Sequence, residues 1–126
     1  MEIFGIGTDI IEVERIRDAV KNNPGFLERI YTKDEVFYCE ERKGKMYESL
    51  ASRFAAKEAV AKSLYQGLGK VMFFKEIEVL NSVEGSPYVA LHGNANFYFL
   101  MNGLKEIKIS LSATKNYASA YAVSFK

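Results

Sequence analysis

The chain has 126 residues, 48% hydrophobic and 26% charged, and its 17 basic and 16 acidic side chains leave a formal net charge of +1. That length predicts a single domain over residues 1–126, and the even charge balance excludes a whole-molecule field for nonspecific nucleic-acid binding. The lone cysteine, Cys39, excludes an internal disulfide, and no stretch reads as a leader or nears membrane-spanning length, so a cytoplasmic protein is expected.

Ile3, Phe4 and Ile6, interleaved with Gly5 and Gly7, read as a buried first strand whose glycines admit close backbone approach. Thr8 and Asp9 follow. Val13, Ile16 and Val20 then recur at helical spacing until Asn22-Asn23-Pro24-Gly25 stops that helix. Thr32-Lys33-Asp34-Glu35 has the form of a capping box and opens a second helix running to about Glu41. Residues 47–66 contain no Gly or Pro and are rich in strong helix formers. They read as one long helix, ended by Gly67-Leu68-Gly69. Beyond it the period changes to two, and residues 76–80 and 88–91 read as strands around a Glu84-Gly85-Ser86-Pro87 turn. Residues 94–101 form a short apolar helix closed by Gly103. Ile107, Ile109 and Leu111 alternate with Lys108 and Ser110. The last strand sets Tyr117, Ser119, Tyr121, Val123 and Phe125 against small Ala118, Ala120 and Ala122. Helices early and hairpin strands late predict an α+β fold, with N-terminal helices packed on a small antiparallel sheet. The aromatic last strand also suits packing against another subunit.

On a helical wheel the long helix carries an oddity. Leu50, Phe54, Ala61, Leu64 and Tyr65 form one apolar arc, and Lys57 falls inside it. Glu58 sits at one edge with Lys62 beyond, and Arg53 at the other edge. A buried charge is costly unless paired, so this helix is expected to form the wall of a cationic, metal-binding pocket. Asp9 and Glu58 would supply two hard oxygen ligands of the kind Mg²⁺ takes, since it keeps several waters and uses one or two carboxylates. Each has a plain local reading too. Asp9-x-x-Glu12 fits a helix N-cap with its capping-box partner, and Glu58 fits a solvated helix residue supported by Lys62. Gly67 and Gly69 suit either a phosphate-approach loop or a helix cap. Ser110, Ser112, Thr114 and Lys115 offer hydroxyls and a cation at a strand end, or a plain turn. His92, the only histidine, has no nucleophile motif beside it. Arg15, Arg17, Lys21 and Arg29 form a solvated basic face or a dock for an acidic protein.

Three segments together resemble the holo-acyl-carrier-protein synthases, the short-chain class of 4′-phosphopantetheinyl transferases. They are Gly5-Ile6-Gly7-Thr8-Asp9 continuing to Ile16, Ser52-Arg53-Phe54-Ala55-Ala56-Lys57-Glu58 continuing to Lys62, and Ile109-Ser110-Leu111-Ser112-Ala113-Thr114 continuing to Ala118. The similarity spans nearly the whole chain, and the middle segment is its most specific part. It implies transfer of the 4′-phosphopantetheine arm of coenzyme A to a serine of an apo-acyl carrier protein, in fatty-acid biosynthesis, with release of adenosine 3′,5′-bisphosphate. It implies Mg²⁺ on Asp9 and Glu58, and coenzyme A among Arg53, Lys57, Lys62, Gly67, Gly69, Ser112 and Thr114. Lys57, Glu58 and Lys62 would take part in the chemistry, and Arg15 and Arg29 would dock the carrier protein. The family is commonly a homotrimer with active sites between subunits. Two departures stand out. Ala113 lies where the family usually has histidine, which leaves open a weakened module that binds coenzyme A or carrier protein. Tyr65-Gln66-Gly67 replaces the typical Gly-Thr-Gly and is expected to narrow the adenine or phosphate pocket.

Overall fold

The fold, described by a computed structural model over residues 1–126, is organised around one central helix. Strand β1 (Ile3–Glu12) runs directly into helix α1 (Val13–Asn22), followed by α2 (Phe26–Ile30), α3 (Lys33–Glu40) and α4 (Met46–Ser63). A 3₁₀ turn at Phe74–Glu76 introduces the hairpin of β2 (Ile77–Asn81) and β3 (Pro87–Leu91). Helix α5 (Gly93–Met101) and strands β4 (Glu106–Ala113) and β5 (Tyr117–Phe125) complete the order. One antiparallel sheet has the order β1-β5-β4, and β2 pairs with β3 in a separate antiparallel ribbon. The expected α+β arrangement is met.

Helix α4 lies with β1, β5 and β4 on one side and α1, α3 and β2 on the other. Its seam with the sheet is built from small residues: Ala55, Ala56 and Ala59 on the helix, and Ala118, Ala120 and Ala122 on β5, are all buried. The glycines of β1 bring the backbones closer still. A Cβ on Gly7 would stand 1.9 Å from the Ala59 carbonyl oxygen, and one on Gly5 2.1 Å from that of Ser63. Only glycine fits at either position.

Four local expectations change. Strand β1 continues through Thr8 and Asp9 to Glu12, so Asp9 pairs with Ala120 in the ladder and caps nothing. The N-cap of α1 is Glu12, without a side-chain cap bond. Helix α4 has twelve buried residues among its 18, so it is enclosed nearly all round and the apolar arc of the wheel is no single face. It also ends earlier than expected. Tyr65, not Gly67, takes the left-handed conformation beyond the helix, at φ +60°, and the Gln66 N–H reaches back to the Ala61 carbonyl at 2.9 Å. Helix α2, with no expectation behind it, follows Gly25 at φ +85°. The Thr32–Glu35 capping box forms as expected, with both reciprocal bonds present at 2.9 and 3.2 Å.

Candidate active site

Two clusters of functional side chains occupy opposite flanks of α4. The first joins α4 to β1. Alternation along β1 turns Asp9 inward, where it meets Lys62 from the last turn of α4. The Lys62 ammonium donates to the Thr8 carbonyl oxygen at 2.9 Å and to Asp9 Oδ1 at 3.3 Å. Glu58 lies one turn earlier on the same flank and is half-buried. Burial pushes its carboxyl above the usual carboxylate range and the Asp9 charge adds to this, while Lys62 offsets part of it. Two carboxylates thus repel across a partly desolvated corner, with the half-exposed Lys62 ammonium paired to Asp9. Such a pair suits a hard divalent cation, and no third His, Cys, Asp or Glu joins the set.

The second cluster lines a cavity in which Arg42, Lys45 and Arg53 outnumber the one acidic residue, Glu48. This cavity, of about 410 Å³, opens between α3, the first half of α4, the β2–β3 hairpin and β4, and Tyr38, Arg42, Lys45, Arg53, Asn81, Ser112 and Ala113 contribute to its walls. Arg53 is only 2% exposed. Its Nη1 donates to Ser49 Oγ at 3.2 Å and its Nη2 to Asn81 Oδ1. The guanidinium carbon stands 4.3 Å from the centre of the Tyr38 ring. The Arg53 Nε is buried and has no partner. A buried guanidinium with two of its five N–H donors bonded and its Nε without any partner, flanked by Arg42 and Lys45, suits an anion. Ala113 contributes only a methyl group there.

Arg53 and Lys62 are nine positions apart on α4, about two and a half turns, and therefore project in opposite directions. The metal-type carboxylates and the anion pocket are separated by the body of the helix.

Lys57 belongs to neither cluster, which corrects the expectation that it lies against phosphate. It is fully buried, and its ammonium donates to Glu35 Oε1 at 2.8 Å, the Ile77 carbonyl at 2.7 Å and the Phe74 carbonyl at 3.0 Å. All three protons are used, so Lys57 ties α4 to α3 and to the hairpin. Burial draws its pKa down, and Glu35 restores part of the loss. Thr114 likewise stays outside the pocket. Its hydroxyl bonds the backbone of Tyr117 at 3.2 and 3.3 Å, which is the plain-turn reading. Gly67 and Gly69 follow α4 just beyond Lys62, with open space on each. Neither occupies the helix-capping position. Arg15 and Arg29 are exposed on the neighbouring helices α1 and α2. Sequence reasoning missed Tyr38, Arg42, Lys45 and Asn81. The basic run Arg42-Lys43-Gly44-Lys45 was the available signal, whereas Asn81 had none.

The chain belongs to the 4′-phosphopantetheinyl transferase superfamily, whose family model matches residues 5–122. It is 49% identical over 119 residues to the holo-[acyl-carrier-protein] synthase of Ruminiclostridium cellulolyticum, covering 94% of this chain and 89% of that one. The corresponding synthase of Halothermothrix orenii is 46% identical over 122 residues, covering 96% of each. Among solved structures, the Neisseria meningitidis synthase aligns with a TM-score of 0.87 at 32% identity, over 98% of this chain and 99% of that one. The Bacillus anthracis synthase, solved in complex with CoA (3′,5′-ADP), aligns at 0.83 and 35% identity, over 100% and 99%.

Proposed function

We propose that the chain transfers the 4′-phosphopantetheine arm of coenzyme A to a serine of an apo-acyl carrier protein, giving holo-acyl carrier protein and adenosine 3′,5′-bisphosphate. It is a transferase of the phosphopantetheinyl class. The observation that carries this reading is the pairing, on one helix of a family member, of a hard-cation corner with a cationic anion pocket. The Bacillus anthracis relative holds CoA (3′,5′-ADP) and the Helicobacter pylori relative, at TM-score 0.83, holds coenzyme A.

Asp9 and Glu58 would hold Mg²⁺, and their mutual repulsion beside Lys62 is the property that fits them for it. Bound there, the ion would supply charge neutralisation at the pyrophosphate. Lys62 exchanges its bond to Asp9 for a phosphate oxygen, and the loop with Gly67 and Gly69 brings backbone close to the same group. Arg53, Arg42 and Lys45, with Ser112 at the rim, hold the phosphorylated adenosine that becomes the leaving group. The serine oxygen attacks the phosphorus bonded to pantetheine, and the bond from that phosphorus to the bridging oxygen breaks. Glu58 would accept the serine proton, directly or through a water. Arg15 and Arg29 face the acidic carrier protein.

One chain turns its two half-sites away from each other, which supports a working site shared between neighbouring subunits. The resemblance to the family implies a homotrimer, and a head-to-tail contact that brings one face of a chain against a different face of its neighbour is compatible with such a ring. Ile6, Ile10, Tyr117 and Tyr121, exposed together on the outer face of the β1-β5-β4 sheet, offer the apolar seam. The reading takes residues 1–126 as one catalytic domain, supported by a core of 22 buried residues running from Ile11 to Ala122. No helix is long and apolar enough to cross a membrane, and the single free cysteine, Cys39, agrees with a place in the cytoplasm.

The test is incubation with apo-acyl carrier protein, coenzyme A and Mg²⁺, read as the pantetheine mass increment on the carrier. The increment is expected, and its absence at high enzyme, with a control synthase active, overturns the reading. Ala113, which brings no donor to the Arg53 pocket, favours one second reading, a module that binds coenzyme A without turnover. Calorimetric binding with no increment would identify it. Ala113→His should then speed transfer if the missing side chain limits the chain.

A further inference from the structure

Tyr65 is the only non-glycine residue in the left-handed region, at φ +60°, a conformation that crowds any side chain with a Cβ. Something must hold it there. Its phenol donates to the Phe4 carbonyl at 2.9 Å, and its ring meets the Phe4 ring edge-on with centroids 5.4 Å apart. Phe4 is itself irregular. The β1–β5 register shifts between Ile3 and Gly5, so Phe4 falls outside the regular pairing with β5. The ring of Tyr65 also lies over Gly5, where a Cβ would stand 3.2 Å from Cε2. A bulge on β1 and a strained tyrosine after α4 therefore hold each other.

In the segment that leaves this contact, Gln66 N–H bonds the Ala61 carbonyl at 2.9 Å and the half-buried Leu68 packs on the core and bridges to Met72. Residues 66–71 include Gly67 and Gly69, each facing open space, and their far end is fixed by the buried Met72, whose carbonyl accepts from Gly69 N–H at 2.8 Å. Leu68 and Met72 anchor the far end of the loop, and Tyr65 holds the end that leaves α4.

We infer that Tyr65 is a positioning residue: its clamp on Phe4 orients the 66–71 loop so that Gly67 and Gly69 meet the coenzyme A phosphates beside Lys62. The inference rests on the transferase reading above.

Tyr65→Phe removes the phenol bond and keeps the ring. Tyr65→Gly removes the clamp but takes the left-handed conformation freely, so the end of α4 survives. Each is compared with the unaltered chain by amide hydrogen exchange over residues 66–71 and by KM and kcat for coenzyme A. One neutral hydrogen bond corresponds to roughly a three- to tenfold effect. Faster loop exchange and a KM raised by about that factor are expected in both variants, with kcat held within about twofold. Unchanged exchange overturns the clamp. Faster exchange with unchanged KM overturns the positioning role. An unaltered chain without turnover overturns the transferase reading alone, because exchange needs no turnover and still decides the clamp.

Discussion

Between Asp9 and Glu58 two carboxylates share a half-buried corner with one ammonium, and the sign of their interaction can be checked. Burial and the Asp9 charge hold the folded Glu58 carboxyl above its unfolded value. Its contribution to stability is therefore fully present below about pH 4.3 and is lost as pH rises through the folded value. Once ionised, the side chain weakens the fold until a cation arrives. Glu58→Gln is expected to raise the melting midpoint in metal-free buffer at pH 7 by about 3 °C, after allowance for solvent screening. The same variant should lose the stabilisation that Mg²⁺ gives the unaltered chain and slow transfer about a hundredfold or more. Melts with and without Mg²⁺, paired with the transfer assay, decide this, and a lower midpoint would refute it. The Glu58–Lys62 spacing was legible in the sequence because i and i+4 share a helix face. Lys57 was misread for an equally physical reason. Its partner Glu35 lies 22 positions away, and its other two acceptors are backbone carbonyls, which carry no sequence signal.

At the scale of elements, α4 was easy to recognise as a helix and hard to orient. A helix buried on nearly every side has no polar stripe to point outward, so the wheel grouped residues that in fact face the sheet, α3 and solvent. Strand β1 was legible as far as its glycines. Beyond them Ile10 is exposed and Ile11 buried, and two adjacent isoleucines conceal which face is which. Helix α2 is too short at five residues for any period to show. The contact between these elements is unforgiving where β1 crosses α4. The Ala59 carbonyl that a Cβ on Gly7 would strike is part of the helix ladder, so the strand itself would have to retreat and take Asp9 with it. Gly7→Ala should cost about 3 kcal/mol or more in urea denaturation, beyond ordinary overpacking. A cost under about 1 kcal/mol would show that strand and helix can separate freely.

For the whole molecule, the opposed half-sites give a prediction that no single-chain site shares. Asp9→Ala and Arg53→Ala should each be inactive alone. Subunits of the two, mixed and reassembled at equal amounts, should recover about one quarter of full activity, because each composite site takes one half from each of two neighbours. No recovery, with mixed assemblies shown by mass, would place both halves in one chain. The sheet completing this architecture was visible as alternating strands, but its order was not, since nothing local tells a strand which distant partner it will have. That order bears on how the protein is made. β5 is synthesised after every other element and yet lies in the middle, between β1 and β4. On the ribosome, a chain that stops short of Tyr117 carries two strands with nothing between them and leaves the alanine-lined flank of α4 bare. Sheet closure is thus a late event joining the most distant segments of the chain, and the emerging polypeptide presents open strand edges that holdase chaperones would need to shield.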